Sequence, residues 1–527
     1  MPRGLPKPLT VSGKIYRYLS HAYFEPYLCF KGIQSDMARS FTPTAYDDLD
    51  PDRRPSLAAA LVPVLAVVAF LGIGSAVLGL DPHPPLLWSI AFVGAFGLWL
   101  GYDWDELFDG IANGLVMGLQ ALLIIFTIYG LIATWVSAGT IPGLMYYGLA
   151  VLSPTTFLPA AAVVAAVVAF AIGSSWTTVG TLGVAFVGIG AGLGVPAPMT
   201  VGAVLPRAYA GDKQSPLSDT TNLAAGVANT DLYGHIRRMR TGTAIAFGLA
   251  VLGFTALGLR ASGSIPAGRI AEIQGALGET YAITVVAFVP LVVTFGLALR
   301  GYAALPTLVA GVFAGALTTV LVQGVGFVAA WETFMYGTAP ESGSTLVNDL
   351  LATGGLTGSA WTITVVVAAL ALGGILERTG VLAVIAHAFT SAVRSPGALV
   401  AGTGVSAIVI NALTAQQYMS IVLPSVTLRN TYDEFGLETD QLSRAVEAAG
   451  TPTGALFPWH AGAVYMAGVT GVPTLEYAPY YLFAFLSPLV LFAMAATGYT
   501  IDATPTPVDA GGDAGETTAA ASPGSDD

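Results

Sequence analysis

Twelve residues, Gly211-Asp-Lys-Gln-Ser-Pro-Leu-Ser-Asp-Thr-Thr-Asn222, form the densest polar run in a part of the chain otherwise suited to lipid. Asp212, Lys213 and Asp219 lie between an apolar stretch at 179–210 and another beginning at Thr241. On an insertion scale each such charge costs about 2.5–3.5 kcal/mol at the bilayer centre, so three unpaired ones approach the whole stability of a domain, about 5–15 kcal/mol. Two placements answer that cost. Asp, Asn, Ser, Pro and Gly are loop formers, so 211–222 reads as a solvated loop between spans. The other placement is a break in a helix facing protein or a water-filled cavity, where broken helices build binding sites. Ser218, Asp219, Thr220 and Asn222 favour the second, since hydroxyl, carboxylate and amide oxygens together suit a small hard cation. A second polar break just upstream, Gly173-Ser-Ser-Trp-Thr-Thr178, points the same way and adds Ser175, Thr177 and Thr178 as oxygen donors. Against that, Ser174, Ser175, Thr177 and Thr178 can instead bond back to carbonyls and merely satisfy the break.

The elements that must hold these residues are membrane helices. The 527 residues are 54% hydrophobic and 10% charged, with a mean hydropathy of +0.71, too apolar for a soluble protein of this size. The apolar runs are continuous and lack two-residue alternation, which implies an all-α polytopic membrane protein of about a dozen spans and not a barrel. With 63 Gly and 32 Pro, its helices should pack closely and break often. Cys29 is the single cysteine, which excludes a disulfide framework, an iron–sulfur cluster or a thiolate zinc site. The five histidines show no metal-ligand spacing, and His21, His83 and His235 are expected in loops. A net charge of −12, with Arg far outnumbering Lys, is similar to proteins of salt-loving organisms. No nucleophile–base pair or phosphate loop stands out, so neither an enzyme nor a nucleic-acid binder is indicated, and no cofactor is called for.

The two polar motifs carry a resemblance. Gly173-Ser-Ser-Trp with Thr177, Thr178 and Thr181, followed by the run 211–222, resembles the signature of the NhaC-type Na+/H+ antiporter family. That family sits in a wider ion-transporter superfamily alongside malate/lactate exchangers. The resemblance runs from about Pro55 to Tyr499 and implies alternating access, with Na+ and protons as substrates, in the cell membrane. Antiport needs one group that takes either ion but never both. A carboxylate where water is scarce does this, because it must be neutralised by a proton or by a cation. Asp219 is the expected Na+ site, with Ser218, Thr220 and Asn222 as neutral ligands; Asp212 divides between ion binding and structure, and Lys213 leans to structure or gating. Asn411, Thr414 and Gln416 match a family pattern and are expected to complete a second-repeat cavity with His460. His460 departs from the family, which implies Asn after Pro458-Trp459, and Pro206-Arg207 replaces small residues. A rival within the superfamily is an organic-acid or amino-acid exchanger in which Asn411, Thr414, His460 or Arg207 contacts a carboxylate. A channel or passive receptor is disfavoured by the paired breaks.

Along the chain, residues 1–55 are a mixed-charge extension, cytoplasmic by the positive-inside rule, with Met37 a second candidate start. Residues 56–260 form the first transmembrane repeat and 261–357 the middle spans with an acidic external loop bearing Glu332, Glu341 and Asp349. Residues 358–500 form the second repeat, and 501–527 a disordered acidic tail. Ser174 precedes Asn222 by 48 residues and Asn411 precedes His460 by 49, and each interval contains a Ser-Pro or Thr-Pro step. Two such broken pairs are the pointer to a transporter built from repeats, inverted or parallel. Glu447, near Arg444, is expected in an ion pair at a loop edge, and Glu377 at an interface. The partners expected are the lipid bilayer, Na+ and protons, with a homodimer left open.

Overall fold

The computed structural model describes residues 44–260, 268–391 and 393–501. The expectations for His21, Cys29, Met37 and most of the N-terminal extension and acidic tail lie outside the described residues. Within them the chain is helical, with no strand beyond an isolated bridge between Thr338 and Thr353.

Twelve helices position the site. Trp104–Ser137 (α1) is 34 residues long and starts in a capping box between Asp103 and Glu106, so the acidic stretch expected at 103–109 opens a long span. Pro154–Ile172 (α2) and Ser175–Gly192 (α3) are separated by a two-residue break, and Ala197–Asp212 (α4) leads through Lys213–Ser218 to Asp219–Ala228 (α5). Leu232–Arg260 (α6) follows. The second half contributes Ala360–Arg378 (α7), Pro396–Thr414 (α8), Gln417–Glu434 (α9), Thr439–Thr453 (α10), Ala461–Thr470 (α11) and Leu482–Thr497 (α12).

Among the described residues seven helices are long and apolar enough to cross a membrane, or up to nine if each of two bent pairs is one span. The bent pairs are Arg269–Thr280 with Val285–Leu299, at 91°, and Thr474–Tyr480 with Leu482–Thr497, at 53°. About a dozen spans are therefore not found by length and composition. The apolar runs read from sequence are cut by breaks, and α5 and α11 keep only 10 residues each, about 15 Å at 1.5 Å per residue against a core of about 30 Å. The stretch expected at 142–153 is a 12-residue helix, Thr140–Val151.

Close backbone contact welds the halves together. Gly110, Gly114 and Gly118 recur every four residues on one face of α1 and lie against α7. A Cβ at Gly114 would sit 2.4 Å from the Leu370 carbonyl and 3.0 Å from Gly374. Only glycine fits there, so the two backbones touch where lipid supplies no hydrophobic drive.

Candidate functional site

Each half contains a helix broken in the same way. Gly173 has φ 71°, in the left-handed region, and Ser174 after it is extended, capping α3 by accepting from the Thr177 amide at 3.2 Å. In the second half Ala415 has φ 54° and Gln416 after it is extended, opening α9. Further along, Ser218 caps α5 by accepting from the Thr221 amide at 3.3 Å, and His460 caps α11 by accepting from the Gly462 amide at 2.9 Å. From Ser174 to Ser218 is 44 residues, and from Gln416 to His460 is also 44. The sequence markers gave 48 and 49 because Asn222 and Asn411 lie inside helices, whereas Ser174 and His460 are themselves caps.

These four breaks enclose one cavity of about 40 Å3, lined from the first half by Ser174, Ser175, Trp176, Asp212, Asp219 and Thr220. The second half supplies Gln416, Gln417, Tyr418, His460 and Ala461, and Gly118, Ala121, Ile124 and Leu370 of the welded α1–α7 pair close it with apolar wall. The volume admits a small ion and a water or two. The run 211–222 is thus not a solvated loop: Asp212, Lys213, Ser215 and Ser218 are buried, and Asp219 is half-buried at the first turn of α5.

Asp212 Oδ2 accepts the Ser175 amide at 3.1 Å, a carboxylate seated on the N-terminus of α3 where unsatisfied amides and the helix dipole favour negative charge. Its Oδ1 has no hydrogen-bond partner among the described residues. Asp219 Oδ2 accepts from the Tyr418 hydroxyl at 2.5 Å, and Oδ1 from the Thr220 amide at 2.9 Å. Lys213 turns away: its ammonium lies 3.4 Å from the Ala448 carbonyl and from Ser487 Oγ, with the Phe483 ring at 5.3 Å.

Several candidate ligands have other duties. Asn222 donates to the Pro216 and Ser218 carbonyls at 2.9 and 2.6 Å, fastening the turn before α5, and does not line the cavity. The Thr178 and Thr181 hydroxyls bond back to the carbonyls of Ser174 and Thr177, and Thr177 lies outside the cavity lining. Thr220, which lines the cavity, donates its hydroxyl hydrogen to Glu447 Oε1 at 3.3 Å and keeps its oxygen lone pairs. Thr414 bonds to the Ile410 carbonyl at 2.8 Å.

Asn411 stands one layer behind the cavity, donating to the Gly450 carbonyl at 2.7 Å while its Oδ1 meets His460 Nε2 at 2.7 Å. Because His460 Nδ1 already accepts from Gly462, its proton sits on Nε2 and donates to Asn411. Both ring nitrogens are satisfied by a neutral imidazole, so His460 is a structural strut of the wall. Arg207 lies in α4, but its side chain is outside what the structure describes.

Three expectations are corrected. His83 is not in a loop but opens the helix His83–Trp99. His235 is not in a loop; it is buried in the first turn of α6. Glu447 is not at a loop edge but fully buried in the middle of α10, where its carboxylate accepts from Thr221 at 3.0 Å and meets His235 Nε2 at 2.5 Å. Arg444, three residues earlier, reaches Thr500 Oγ1 at 2.6 Å. Sequence reasoning missed Tyr418 and Gln417, which directly follow the expected Gln416; the only signal for them was their place on the first turn after the break.

The Na+/H+ antiporter family model matches residues 207–499. The arginine/ornithine antiporter ArcD of Halobacterium salinarum is 52% identical over 463 residues, covering 87% of this chain and 96% of that protein. The Na+/H+ antiporter NhaC of Alkalihalophilus pseudofirmus is 36% identical, over 80% of this chain and 92% of its own length. The malate-2H+/Na+-lactate antiporter of Bacillus subtilis is 34% identical, over 78% and 87%. With its broken-helix motifs, its cavity between halves and likeness over most of its length, this multi-pass membrane protein is an antiporter and belongs to the NhaC-type Na+/H+ antiporter family.

Proposed function

We propose that the protein exchanges monovalent cations by alternating access at Asp212 and Asp219, with arginine and ornithine as the exchanged pair. The observation that carries this is a cavity holding two carboxylates, one with a free oxygen, and no cationic side chain among the described residues that line it. Lys213 points elsewhere and His460 is neutral, so the countercharge must come from a guest. Guanidinium and ammonium groups suit carboxylate oxygens, and the wall includes Trp176, which stacks on Tyr465 at 4.6 Å. The Halobacterium relative named for this exchange supports the choice of substrate. The full amino acid exceeds the present cavity, so its entry requires the broken helices to part, which is what alternating access provides.

Na+ exchanged for H+ is the second reading, favoured by the cavity's size and by the NhaC relative. There Asp219 with Asp212 and Ser175 would hold Na+. Proteoliposomes loaded with ornithine distinguish the two. Uptake of labelled arginine that requires internal ornithine supports the first; Na+-driven proton flux without any amino acid supports the second. In a cell the same reading places the chain in the cell membrane with the Arg237–Arg240 end of α6 on the cytoplasmic side.

A further inference from the structure

Behind the cavity a line of hydrogen bonds runs from Thr220 to the backbone carbonyl of Asp440, beside a surface ion pair. Thr220, in the cavity wall, contacts Glu447 Oε1, and Glu447 Oε2 lies 2.5 Å from His235 Nε2. His235 Nδ1 is 2.8 Å from Ser443 Oγ, and Ser443 donates its hydroxyl proton to the Asp440 carbonyl at 2.9 Å. The line ends on that backbone carbonyl; the side chain of the same residue separately accepts from Arg238 at 2.9 Å through Oδ2, where both side chains are 16% exposed. Glu447, His235 and Ser443 are themselves fully buried.

The donors can be counted. Ser443 has one hydrogen and spends it on Asp440, so it accepts from His235 and Nδ1 carries a proton. Glu447 Oε1 is occupied by Thr221 and Thr220. A bond between Nε2 and Oε2 then needs a second hydrogen, on either atom. The pair is Glu447-COOH with neutral imidazole, or carboxylate with imidazolium, and in both forms it holds one proton more than a carboxylate beside a neutral histidine. Without that proton two lone pairs would face each other at 2.5 Å in a site closed to water.

We propose that Glu447 and His235 are a proton-carrying site of the antiporter, separate from the cation cavity and joined to it through Thr220, which loads and unloads with water on the side of Ser443 and the Arg238–Asp440 surface pair. Loss of the proton leaves Glu447 ionised and His235 neutral, one charge more negative, and the proton leaves to water at that surface. The charged and titratable groups on the surrounding helices are Arg207, Tyr209 and Asp212 on α4 with Lys213 just after it, Asp219 on α5, Tyr233, Arg237, Arg238, Arg240 and Arg260 on α6, Tyr418, Arg429, Tyr432, Asp433 and Glu434 on α9, and Asp440 and Arg444 on α10. Helices α8 and α12 present none. Lys213 next to Ala448 gives the deprotonated pair a nearby positive charge, so discharge is not stranded. The inference rests on the antiporter reading only in linking this proton to transport.

The test has two arms on the full-length protein. Potentiometric titration in detergent micelles compares wild type with Glu447→Gln and with His235→Gln, and each variant should bind one proton fewer across neutral pH. In proteoliposomes both variants should keep ornithine-for-arginine or Na+ exchange within about threefold, while substrate movement driven by a pH gradient falls by at least about tenfold. Proton uptake equal to wild type in both variants overturns the proposal. So does pH-driven movement that survives in His235→Gln, or a loss of driven and exchange modes in equal measure by a variant whose thermal melt matches wild type. Absence of arginine exchange in the wild type would defeat the substrate reading but leave the proton count standing.

Discussion

Replacing Asp219 by Asn removes one charge and almost no volume, and Asn can still accept the Tyr418 hydroxyl that Asp219 accepts at 2.5 Å. The loss is therefore electrostatic. A cation about 4 Å from a carboxylate is attracted by ~4 kcal/mol at an effective dielectric of ~20 and by ~1 kcal/mol in bulk water. Asp219 is half-buried on a water-sized cavity, which places it between these limits and towards the first. A loss of about 2–4 kcal/mol weakens cation binding by about 30- to 1,000-fold, at ~1.4 kcal/mol per decade. Calorimetric binding of arginine, ornithine and Na+ to purified Asp219→Asn measures it directly, with Tyr418→Phe as a control that keeps the charge. Asp212→Asn should cost as much or more, since its free oxygen has no protein partner to replace the guest. Wild-type affinity in Asp219→Asn for every cation tested would mean the carboxylate never meets the substrate, and the proposed site would fall with it.

The two left-handed break residues should respond oppositely to small changes. Gly173→Ala adds a Cβ 2.6 Å from the Leu217 carbonyl carbon and strains φ 71°, and should lower the thermal transition by an amount equivalent to about 1–3 kcal/mol. Ala415→Gly relieves a φ of 54° at the cost of chain entropy, so its transition should stay within about 1 kcal/mol of wild type. Gly114→Ala presses a methyl onto the Leu370 carbonyl and should destabilise by about 1–3 kcal/mol, read by thermal aggregation in detergent. His460→Gln, which forfeits the Gly462 and Asn411 bonds, should cost about 1–3 kcal/mol of stability yet leave the shape of the pH–transport profile unchanged; a shifted profile would mean the imidazole titrates.

What could be read in the sequence and what could not divide along a physical line. Polar residues in an apolar run are visible because lipid makes them expensive, so the breaks at 173–178, 211–222 and 411–417 announced themselves, and with them Asp212, Asp219 and Gln416 in the cavity wall. A residue's duty within a break is set by which backbone groups the break orphans, and that is decided by φ and ψ. Thr178, Thr414 and Asn222 therefore went to carbonyls, although their types also suit a cation. Glu447 was misread because its nearest basic neighbour in sequence, Arg444, suggested a local pair, whereas its partner His235 lies 212 residues away. Such a partner is chosen by packing of α6 against α10, and a single sequence holds no local trace of it. The same packing explains why the matching 44-residue cap spacings matter more than the polar echo that hinted at them. Two identical left-handed-then-extended breaks, one from each half, together with the Ser218 and His460 caps that follow them, point four helix N-termini towards a single space, and the Asp carboxylates of the first half gather there because that is where unsatisfied amides make an anion cheapest to keep. Cation exchange then needs no further device at the site than removal of the guest, since the amides hold the carboxylates in place whether or not one is bound.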